Sequence, residues 1–389
     1  MAIVENKKPK AVFTFVEAGM GHIIPMEGMY QTFQKKYGDK VEVVKSYIFE
    51  ESKSEKVKKM GGELSAHTKR AANNWLYNKL EAFSYALPSK FILKMLDAHF
   101  GSAKQDFSND LKELNADLIV SSYYLPSHLS ANDRKKGKIN PLIVTYAPDP
   151  YIYPAWDRDC DLFLVNNDKA YEMATKSKFK GKVKQIPFIY REDFYSQTLT
   201  KFEAREKLSL KDKFTVVFSC GAYGTSKTEK LATLLANAGL DINLIIICGK
   251  NDKLFTLANT LAKNPVGKTE VIPVGFTDQM SLYMRSADVL VGKAGSNTVM
   301  ETAYMGVPLI VATKSSQLEV ETTKYLVKNK IGLDISNPKK LIKEIEERID
   351  HPEKAEEHKK NVEKFCDTTG AQKAADEIFE LLKTRYPEL

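Results

Sequence analysis

The sequence is poor in cysteine and has no long uninterrupted apolar run. Its 389 residues include four cysteines, which are widely scattered and form neither a Cys-x-x-Cys pair nor a Cys/His ligand spacing. Structural zinc sites and redox dithiols require such spacings, and disulfide-rich secreted domains carry many more cysteines. We therefore expect reduced thiols in a cytoplasmic location and no structural zinc. The most apolar segments have the length of strands, so we expect no membrane span.

Neither a strong charge nor a leader pattern marks the chain. The 58 Lys plus Arg against 50 Asp plus Glu give a net charge of +8, a modest excess. No zinc finger, RNP motif or basic stripe with interleaved aromatics is present, so we expect no nucleic-acid partner. The first ten residues are charged and lead directly into an apolar strand pattern, which predicts no secretory or transit segment. The basic excess collects instead over residues 53–104.

Apolar runs of strand length alternate with helical patterns through most of the chain. Examples are AVFTFVEA, DLIVSSYY and PLIVTYA in the first half, and FTVVFSC, INLIIICGK and VPLIVAT in the second. This alternation is typical of helix-covered parallel sheets, and the chain is too long for one ordinary core. We predict two doubly wound, Rossmann-like α/β domains, residues 1–190 and 191–370, whose strand ends face a common cleft. A charged linker is expected near 188–212, and a helix over 371–389 is a candidate for packing back on the first domain.

A turn that contains glycine follows the first predicted strand. Residues 17–25 read EAGMGHIIP, which places Gly21 and His22 between a strand and a helical pattern. Glycine allows close approach of a ligand to the backbone, and a helix N-terminus presents N–H groups to an anion. The turn is not a dinucleotide fingerprint, because Ile24 stands where G-x-G-x-x-G requires its third glycine. A plain tight turn with His22 on the surface is an equally open interpretation.

The densest motif is the segment 287–308, ADVLVGKAGSNTVMETAYMGVP. It predicts a buried strand, a small polar turn, a short helix and a Gly-Val-Pro stop, a unit suited to binding a pyrophosphate through backbone amides. The candidate residues of this turn are Lys293, Ala294, Gly295, Ser296, Asn297 and Thr298. Glu301, one turn into the helix, is a candidate for ribose hydroxyls. Thr298-x-x-Glu301 also fits a capping box, in which Glu301 would bond back to the backbone, and the sequence leaves both open.

A second loop of small residues, 219–226, follows the first predicted strand of the C-terminal domain and marks another close approach to the backbone. We expect Cys220 in this loop to be a packed residue, because no histidine neighbours it and nothing indicates an activated thiolate.

Taken together, these motifs resemble the monogalactosyldiacylglycerol synthases and processive diacylglycerol glucosyltransferases, and more distantly the MurG GlcNAc transferase. The segments that carry the resemblance span most of the chain: 19–25, 145–168, 186–194 and 287–308. The resemblance implies a GT-B fold and an inverting, metal-independent transfer of a hexose from a UDP-sugar to a diacylglycerol-like membrane lipid. No cofactor is implied, since the UDP-sugar is a co-substrate.

The resemblance also implies roles for individual residues. The implied donor contacts are Gly21, Gly221, Tyr223 and Gly224, Phe276 beside the base, Gly295–Thr298 at the phosphates, Glu301 at the ribose, and Gln317 with Glu319 at the hexose. His22 and Asp149 would lie on the acceptor side. The family's Pro-Gly-Gln-Glu donor loop reads SSQLE at 315–319 here, out of register by one residue, so the identity of the hexose is not carried over.

Such a mechanism needs a base and stabilisation of the leaving diphosphate. A helix N-terminus together with Lys293 supplies the second without a metal. His22, held neutral at a helix start, is the candidate base, and Asp149 is its competitor. Asp157, Asp159 and Asp161 look like a metal-binding D-x-D motif but lack the strand context, so we expect a solvated loop and no metal.

The segment 53–104 mixes lysines with aromatic residues, a combination that favours an anionic lipid surface. Its candidate acceptor and membrane residues are Trp75, Tyr77, Phe83 and Tyr85. The alternative is an amphipathic helix pair packed on the sheet. We expect peripheral attachment to the cytoplasmic face of a membrane. Two other functions remain: a UDP-GlcNAc 2-epimerase-like enzyme, against which the basic segment argues, and a nucleotide-sugar-binding regulator, against which His22 and Glu301 argue.

Overall fold

The computed structural model describes residues 8–17, 19–73, 75–196, 198–225 and 227–389, with the backbone alone at 65, 67–73 and 75–78. The chain divides into two compact units. The first unit takes in the described residues up to Thr68, then Leu80–Arg191 and Asp367–Leu389. The second takes in Lys69–Lys79 and Glu192–Cys366.

A parallel sheet forms the centre of the first unit. Its strands are β1 (Lys10–Thr14), β2 (Glu42–Ser46), β3 (Leu118–Ser121), β4 (Leu142–Ala147), β5 (Leu162–Val165) and β6 (Lys182–Gln185). The six strands are ordered β2-β1-β3-β4-β5-β6. All residues of β3, β4 and β5 are buried, because helices cover both faces of such sheets. The strand order reverses between β1 and β3, which is where doubly wound sheets bind their ligands.

The second unit repeats this plan with the Rossmann strand order. Its strands are β7 (Phe214–Ser219), β8 (Ile242–Ile247), β9 (Glu270–Val274), β10 (Val289–Lys293), β11 (Leu309–Thr313) and β12 (Gly332–Asp334). They form one six-stranded parallel sheet in the order β12-β11-β10-β7-β8-β9. Here the order reverses between β7 and β10, so the corresponding ligand position lies at the carboxyl ends of these two strands.

Helices connect the strands. Up to β7 they are α1 (Met20–Tyr37), α2 (Glu55–Asn73), α3 (Trp75–Ser84), α4 (Ser89–His99), α5 (Lys104–Leu114), α6 (Tyr124–Lys135), α7 (Asp168–Lys176), α8 (Glu192–Tyr195) and α9 (Lys201–Lys207). After β7 they are α10 (Thr228–Ala236), α11 (Asp252–Lys263), α12 (Met280–Ser286), α13 (Ser296–Met305), α14 (Gln317–Lys328), α15 (Pro338–Asp350), α16 (Glu353–Val362), a 3-10 turn (Glu363–Phe365) and α17 (Gly370–Lys383). The stretch predicted as a linker, 188–212, contains α8 and α9, and α9 begins with a capping box between Thr200 and Glu203.

The helix α17 completes the core of the first unit. Its alanines and larger apolar residues share one buried cluster with the inner face of α1. The Phe379 ring stacks on Tyr37, with centroids 3.9 Å apart and planes 4° from parallel. At the start of α17, a Cβ on Gly370 would lie 2.4 Å from the carbonyl oxygen of Pro187, so only glycine fits there. The chain therefore returns to the first unit through a closely packed junction.

Burial of His358 makes the stability of the second unit depend on pH. This side chain of α16 is 7% exposed. Burial, reinforced by the positive charge of Arg348, lowers the pKa of His358 from 6.5 to about 4. Between these values the unfolded chain binds a proton that the folded chain does not. The unfolding free energy should therefore fall with decreasing pH by up to about 1.4 kcal/mol per pH unit. Denaturant titrations across this range should show a smaller slope for His358→Gln; identical slopes would contradict the prediction.

Candidate functional site

His22 is the third residue of α1, and its partners come from the loop after β3. Its Nδ1 atom lies 2.7 Å from the carbonyl oxygen of Ser122, and Ser122 Oγ donates in return to the carbonyl oxygen of His22 at 2.8 Å. The Tyr123 ring meets the imidazole edge-on, with centroids 4.9 Å apart. Because a carbonyl oxygen only accepts, Nδ1 carries the ring proton, and Nε2 keeps a lone pair when His22 is neutral. This geometry orients Nε2 as a proton acceptor.

The pKa of His22 lies below its ordinary value of 6.5. Burial is the main cause, because it disfavours the charged imidazolium. The negative charge of Asp149 and the hydrogen bond to Ser122 act in the opposite direction and more weakly. Asp149 follows β4, the strand beside β3, by two residues. The two candidate bases thus interact electrostatically, and Asp149 is placed to stabilise a protonated His22.

Tyr85 packs against the loop that carries Asp149. Its ring lies 5.3 Å from that of Tyr151 and 4.7 Å from that of Tyr153, centroid to centroid. The neighbouring Ser84 hydroxyl lies 3.1 Å from the Tyr153 hydroxyl. Burial, followed by the charges of acidic neighbours that include Asp149, raises the pKa of Tyr85. Tyr85 is half-buried in this position, and its predicted contact with a lipid surface stays a prediction.

Four apolar side chains of α3 and α4 are exposed instead, and we call them the apolar face. They are Leu80 (62% exposed), Phe83 (64%), Phe91 (51%) and Met95 (53%). The exposed lysines Lys79, Lys90 and Lys94 are their neighbours in sequence. Phe83 was predicted to lie at such a surface, whereas the side chains of Trp75 and Tyr77 are outside the described residues. Among the described residues, every helix is too short or too polar to span a bilayer.

In the second unit, the N-terminus of α13 forms a candidate anion site. Its N-cap is Gly295, which makes no side-chain capping bond, and the first turn of α13 contains no acidic residue. Such a terminus presents backbone N–H groups and the positive end of the helix dipole to an anion. The preceding strand, β10, runs very close to β7, since a Cβ on Gly292 would lie 1.9 Å from the carbonyl oxygen of Ser219. The N-terminus of α13 therefore lies beside the carboxyl end of β7.

The helix boundary tests one of the two interpretations of Glu301, the capping box. Thr298 is the third residue of α13, not its N-cap, and its carbonyl oxygen accepts a hydrogen bond from Thr302 Oγ1 at 2.8 Å. A capping box between Thr298 and Glu301 is therefore not formed. Glu301 is 5% exposed, and its contact with the ribose stays a prediction.

Residues of two further loops lie at the same edge of this sheet. After β7, Gly221 and Gly224 have φ of +77° and +73°, a left-handed conformation that favours glycine. Tyr223 between them is 39% exposed. After β9, Phe276 is 66% exposed, and Lys250 Nζ lies 5.5 Å from its ring centroid. The loops thus offer a close backbone approach and an exposed aromatic ring.

Glu319 lies at the start of α14 and contacts both Lys293 and the loop after β11. It is the third residue of α14, whose N-cap Ser316 accepts a hydrogen bond from the Glu319 backbone at 3.2 Å. Its carboxylate binds Lys293 Nζ at 2.7 Å and the Ser315 hydroxyl at 2.9 Å. The predicted hexose contact of Glu319 stays a prediction. Gln317, the first residue of α14, donates to Glu321 at 3.3 Å.

The acidic triplet after β4 is not a solvated loop, so that expectation is wrong. Asp157 is 5% exposed, and His128 on α6 hydrogen-bonds to it at 2.7 Å. Although burial favours the neutral acid, hydrogen bonds from His128 and the backbone hold the pKa of Asp157 below its ordinary value. Asp159 and Asp161 form ion pairs with Arg134 of the same helix. These carboxylates join α6 to the loop as structural partners.

Sequence reasoning missed Ser122 and Tyr123 as partners of His22. A signal for them existed, because DLIVSSYY predicts a strand that ends in polar residues. Carboxyl ends of neighbouring parallel strands meet at one edge of a sheet. What the sequence does not contain is the pairing of β3 with β1, which brings Ser122 to His22.

These features define the GT-B class of fold, with two Rossmann-like α/β units and a candidate anion site at the strand reversal of the second. Residues 215–378 match the model of the glycosyltransferase family 28 C-terminal domain. MurG from Acinetobacter baumannii superimposes with a TM-score of 0.60 at 13% identity, over 96% of this chain and 100% of that one. Anabaena HepE, solved with UDP, gives 0.55 at 15% identity, over 97% and 100%. The predicted fold class is confirmed.

Among curated proteins, the chain is similar to the chloroplastic monogalactosyldiacylglycerol synthase of Spinacia oleracea, with 23% identity over 88% of this chain. It spans 66% of that relative, just under two thirds of its length. A processive diacylglycerol beta-glucosyltransferase of Bacillus licheniformis is 20% identical over 77% of each chain. The resemblance to these transferases and to MurG is thus confirmed.

The interaction between His22 and Asp149 predicts how the pKa of His22 differs between the wild type and a variant. By NMR, the His22 imidazole should titrate below 6.5. In Asp149→Asn its pKa should fall further, because the charge that favours the imidazolium is removed. An unchanged or raised His22 pKa in Asp149→Asn would show that the two groups do not interact.

Proposed function

We propose that this protein is an inverting glycosyltransferase that moves a hexose from a UDP-sugar to a hydroxyl of a diacylglycerol-like membrane lipid. The observation that carries the proposal is the α13 N-terminus, without a side-chain cap, at the strand reversal and within the residues that match the family 28 domain. The solved complex of HepE with UDP and the names of the spinach and Bacillus relatives support the donor and acceptor classes.

The donor diphosphate binds the backbone amides at Gly295–Thr298. The dipole of α13 stabilises the negative charge that develops on UDP as its bond to the sugar breaks. Glu301 accepts hydrogen bonds from the ribose hydroxyls, and the exposed Phe276 ring packs against the uracil. This arrangement provides stabilisation of the leaving group without a metal ion.

His22 is the base. Its Nε2 atom removes the proton of the lipid hydroxyl while the hydroxyl oxygen attacks the anomeric carbon opposite to UDP, which departs with the electron pair of the broken bond. Asp149 stabilises the resulting imidazolium, and the carbonyl of Ser122 holds the ring in the productive tautomer. One displacement of this kind inverts the configuration of the anomeric carbon.

The lipid reaches the protein through peripheral attachment to the cytoplasmic leaflet. The apolar face enters the headgroup region, and the neighbouring lysines interact with anionic lipid. Because Tyr85 and Ser84, which adjoin Phe83, contact the loop of Asp149, the surface that binds the membrane and the loop that orients the base belong to one unit.

The direct test is transfer from UDP-glucose, UDP-galactose or UDP-GlcNAc to diacylglycerol in vesicles with EDTA present, with the lipid product measured by mass spectrometry and its anomeric configuration by NMR. One donor should yield a glycolipid of inverted configuration. His22→Ala should lower kcat by about 100-fold to 10,000-fold, the usual contribution of a general base. The affinity for UDP should not change, and the matched control His99→Ala should retain full activity.

Other outcomes are equally clear. Activity that is lost in EDTA and restored by Mn²⁺ would overturn the metal-free mechanism. Epimerised or free sugar without a lipid product would favour the epimerase-like alternative. UDP binding without any turnover would favour a regulator.

The apolar face predicts a mutation that separates membrane binding from nucleotide binding. Phe83→Ser with Phe91→Ser should lower the partition onto anionic vesicles at least about tenfold, because each buried ring contributes roughly 1.5–3 kcal/mol. UDP affinity should not change. The matched control is Phe202→Ser with Phe255→Ser, two rings of the second unit that are 69% and 41% exposed. Flotation that survives in the first variant, or is lost equally in the control, would contradict the assignment.

A further inference from the structure

Lys293 and Glu319 form an ion pair that is largely closed off from solvent. The distance from Nζ to Oε1 is 2.7 Å, and the two side chains are 26% and 8% exposed. The second oxygen of Glu319 accepts hydrogen bonds from the Ser315 backbone N–H at 2.6 Å and from the Ser315 hydroxyl at 2.9 Å. Both oxygens of the carboxylate are therefore engaged, and its charge neutralises that of Lys293 at short range.

The stem of Lys293 also contacts the loop after β7. A Cβ built on Gly221 would lie 2.8 Å from Lys293 Cε, so the lysine packs directly over that glycine. The strand order in this part of the sheet is β11-β10-β7, with Lys293 at the end of the middle strand. Lys293 therefore touches the loop on one side and, through Glu319, the loop of Ser315 on the other.

These two loops flank the N-terminus of α13, which leads out of β10 itself. A lysine already paired with a poorly exposed carboxylate contributes little net charge to a neighbouring anion. Its withdrawal would leave Glu319 buried without a counter-ion, a costly arrangement. The same contacts give the pair a different role, because they hold the loops after the three neighbouring strands β7, β10 and β11 in a defined geometry.

We propose that Lys293 and Glu319 act as a positioning pair, which sets the loops after β7 and β11 around the α13 N-terminus so that the backbone amides bind the diphosphate. The pair has no direct contact with the donor. The inference rests on the proposed UDP-sugar donor, but its structural part is independent of the ligand. The competing model is that Lys293 leaves Glu319 and binds the diphosphate itself.

A double-mutant cycle separates the two models. Lys293→Met and Glu319→Gln should each weaken UDP binding by a similar factor of about tenfold, and the double variant should be no worse than either, because all three lack the same pair. Uridine affinity should change far less, since only the phosphate site is disturbed. Under the competing model, Glu319→Gln frees the lysine and leaves UDP binding unchanged or tighter, whereas Lys293→Met weakens it.

A third variant keeps the negative charge at position 319 but shortens the side chain. Glu319→Asp retains the carboxylate but shortens the side chain by one methylene. A positioning pair predicts that this variant binds UDP more weakly, whereas simple neutralisation of charge predicts unchanged UDP binding. The matched control is the ion pair Lys213–Asp241, 2.9 Å long at the amino ends of β7 and β8. Lys213→Met and Asp241→Asn should leave UDP affinity unchanged.

Hydrogen exchange of the ligand-free protein tests the pair even if the donor is not UDP. Amides of 219–225 and 314–317 should exchange severalfold faster in both Lys293→Met and Glu319→Gln than in the wild type and the control pair. If the wild type binds no UDP, the proposed donor fails while this comparison still decides on the pair. Unchanged exchange in both variants would overturn the positioning role.

Discussion

The close approach of β10 to β7 at Gly292 is the constraint on which the second unit depends. Gly292 pairs with Ser219, and a Cβ at this position would lie 1.9 Å from the Ser219 carbonyl oxygen. Only glycine lets the two strands remain paired to the edge of the sheet. Because they stay together, the loop after β7 and the turn before α13 lie side by side at the strand reversal. A side chain here would separate the two backbones that form the candidate anion site.

The first unit depends on a related arrangement between β1 and β3. The two strands pair over Ala11–Thr14 and Leu118–Ser121, and the residues that follow each strand then meet. His22 and Ser122 exchange two hydrogen bonds across this junction. The backbone therefore determines the tautomer of the imidazole. Asp149, which follows the next strand, supplies a negative charge that favours the protonated imidazole. The same loop extends to the tyrosines that contact Tyr85.

Much of the fold was predictable, because parallel strands covered on both faces appear as continuous apolar runs separated by helical patterns. The two turns that contain His22 and Gly295 were also predictable, since glycine between an apolar run and a helical pattern indicates a turn from a strand into a helix. The structure differs from what the sequence suggests at side chains whose partners are distant in sequence. The sequence does not show that Glu319 pairs with Lys293, and Asp157 looked exposed although His128 covers it. Local patterns carry no information about such partners.

The position of α17 has a consequence for synthesis. The first unit contains the earliest described part of the chain, yet one wall of its core comes from Ala374, Ile378 and Phe379. During translation, α1 would emerge with this apolar face uncovered and stay so until the whole second unit had left the ribosome. Contacts of such large sequence separation close late and slow the search for the native state. The first unit thus cannot complete its core until α17 has been made, although most of its residues are made earlier.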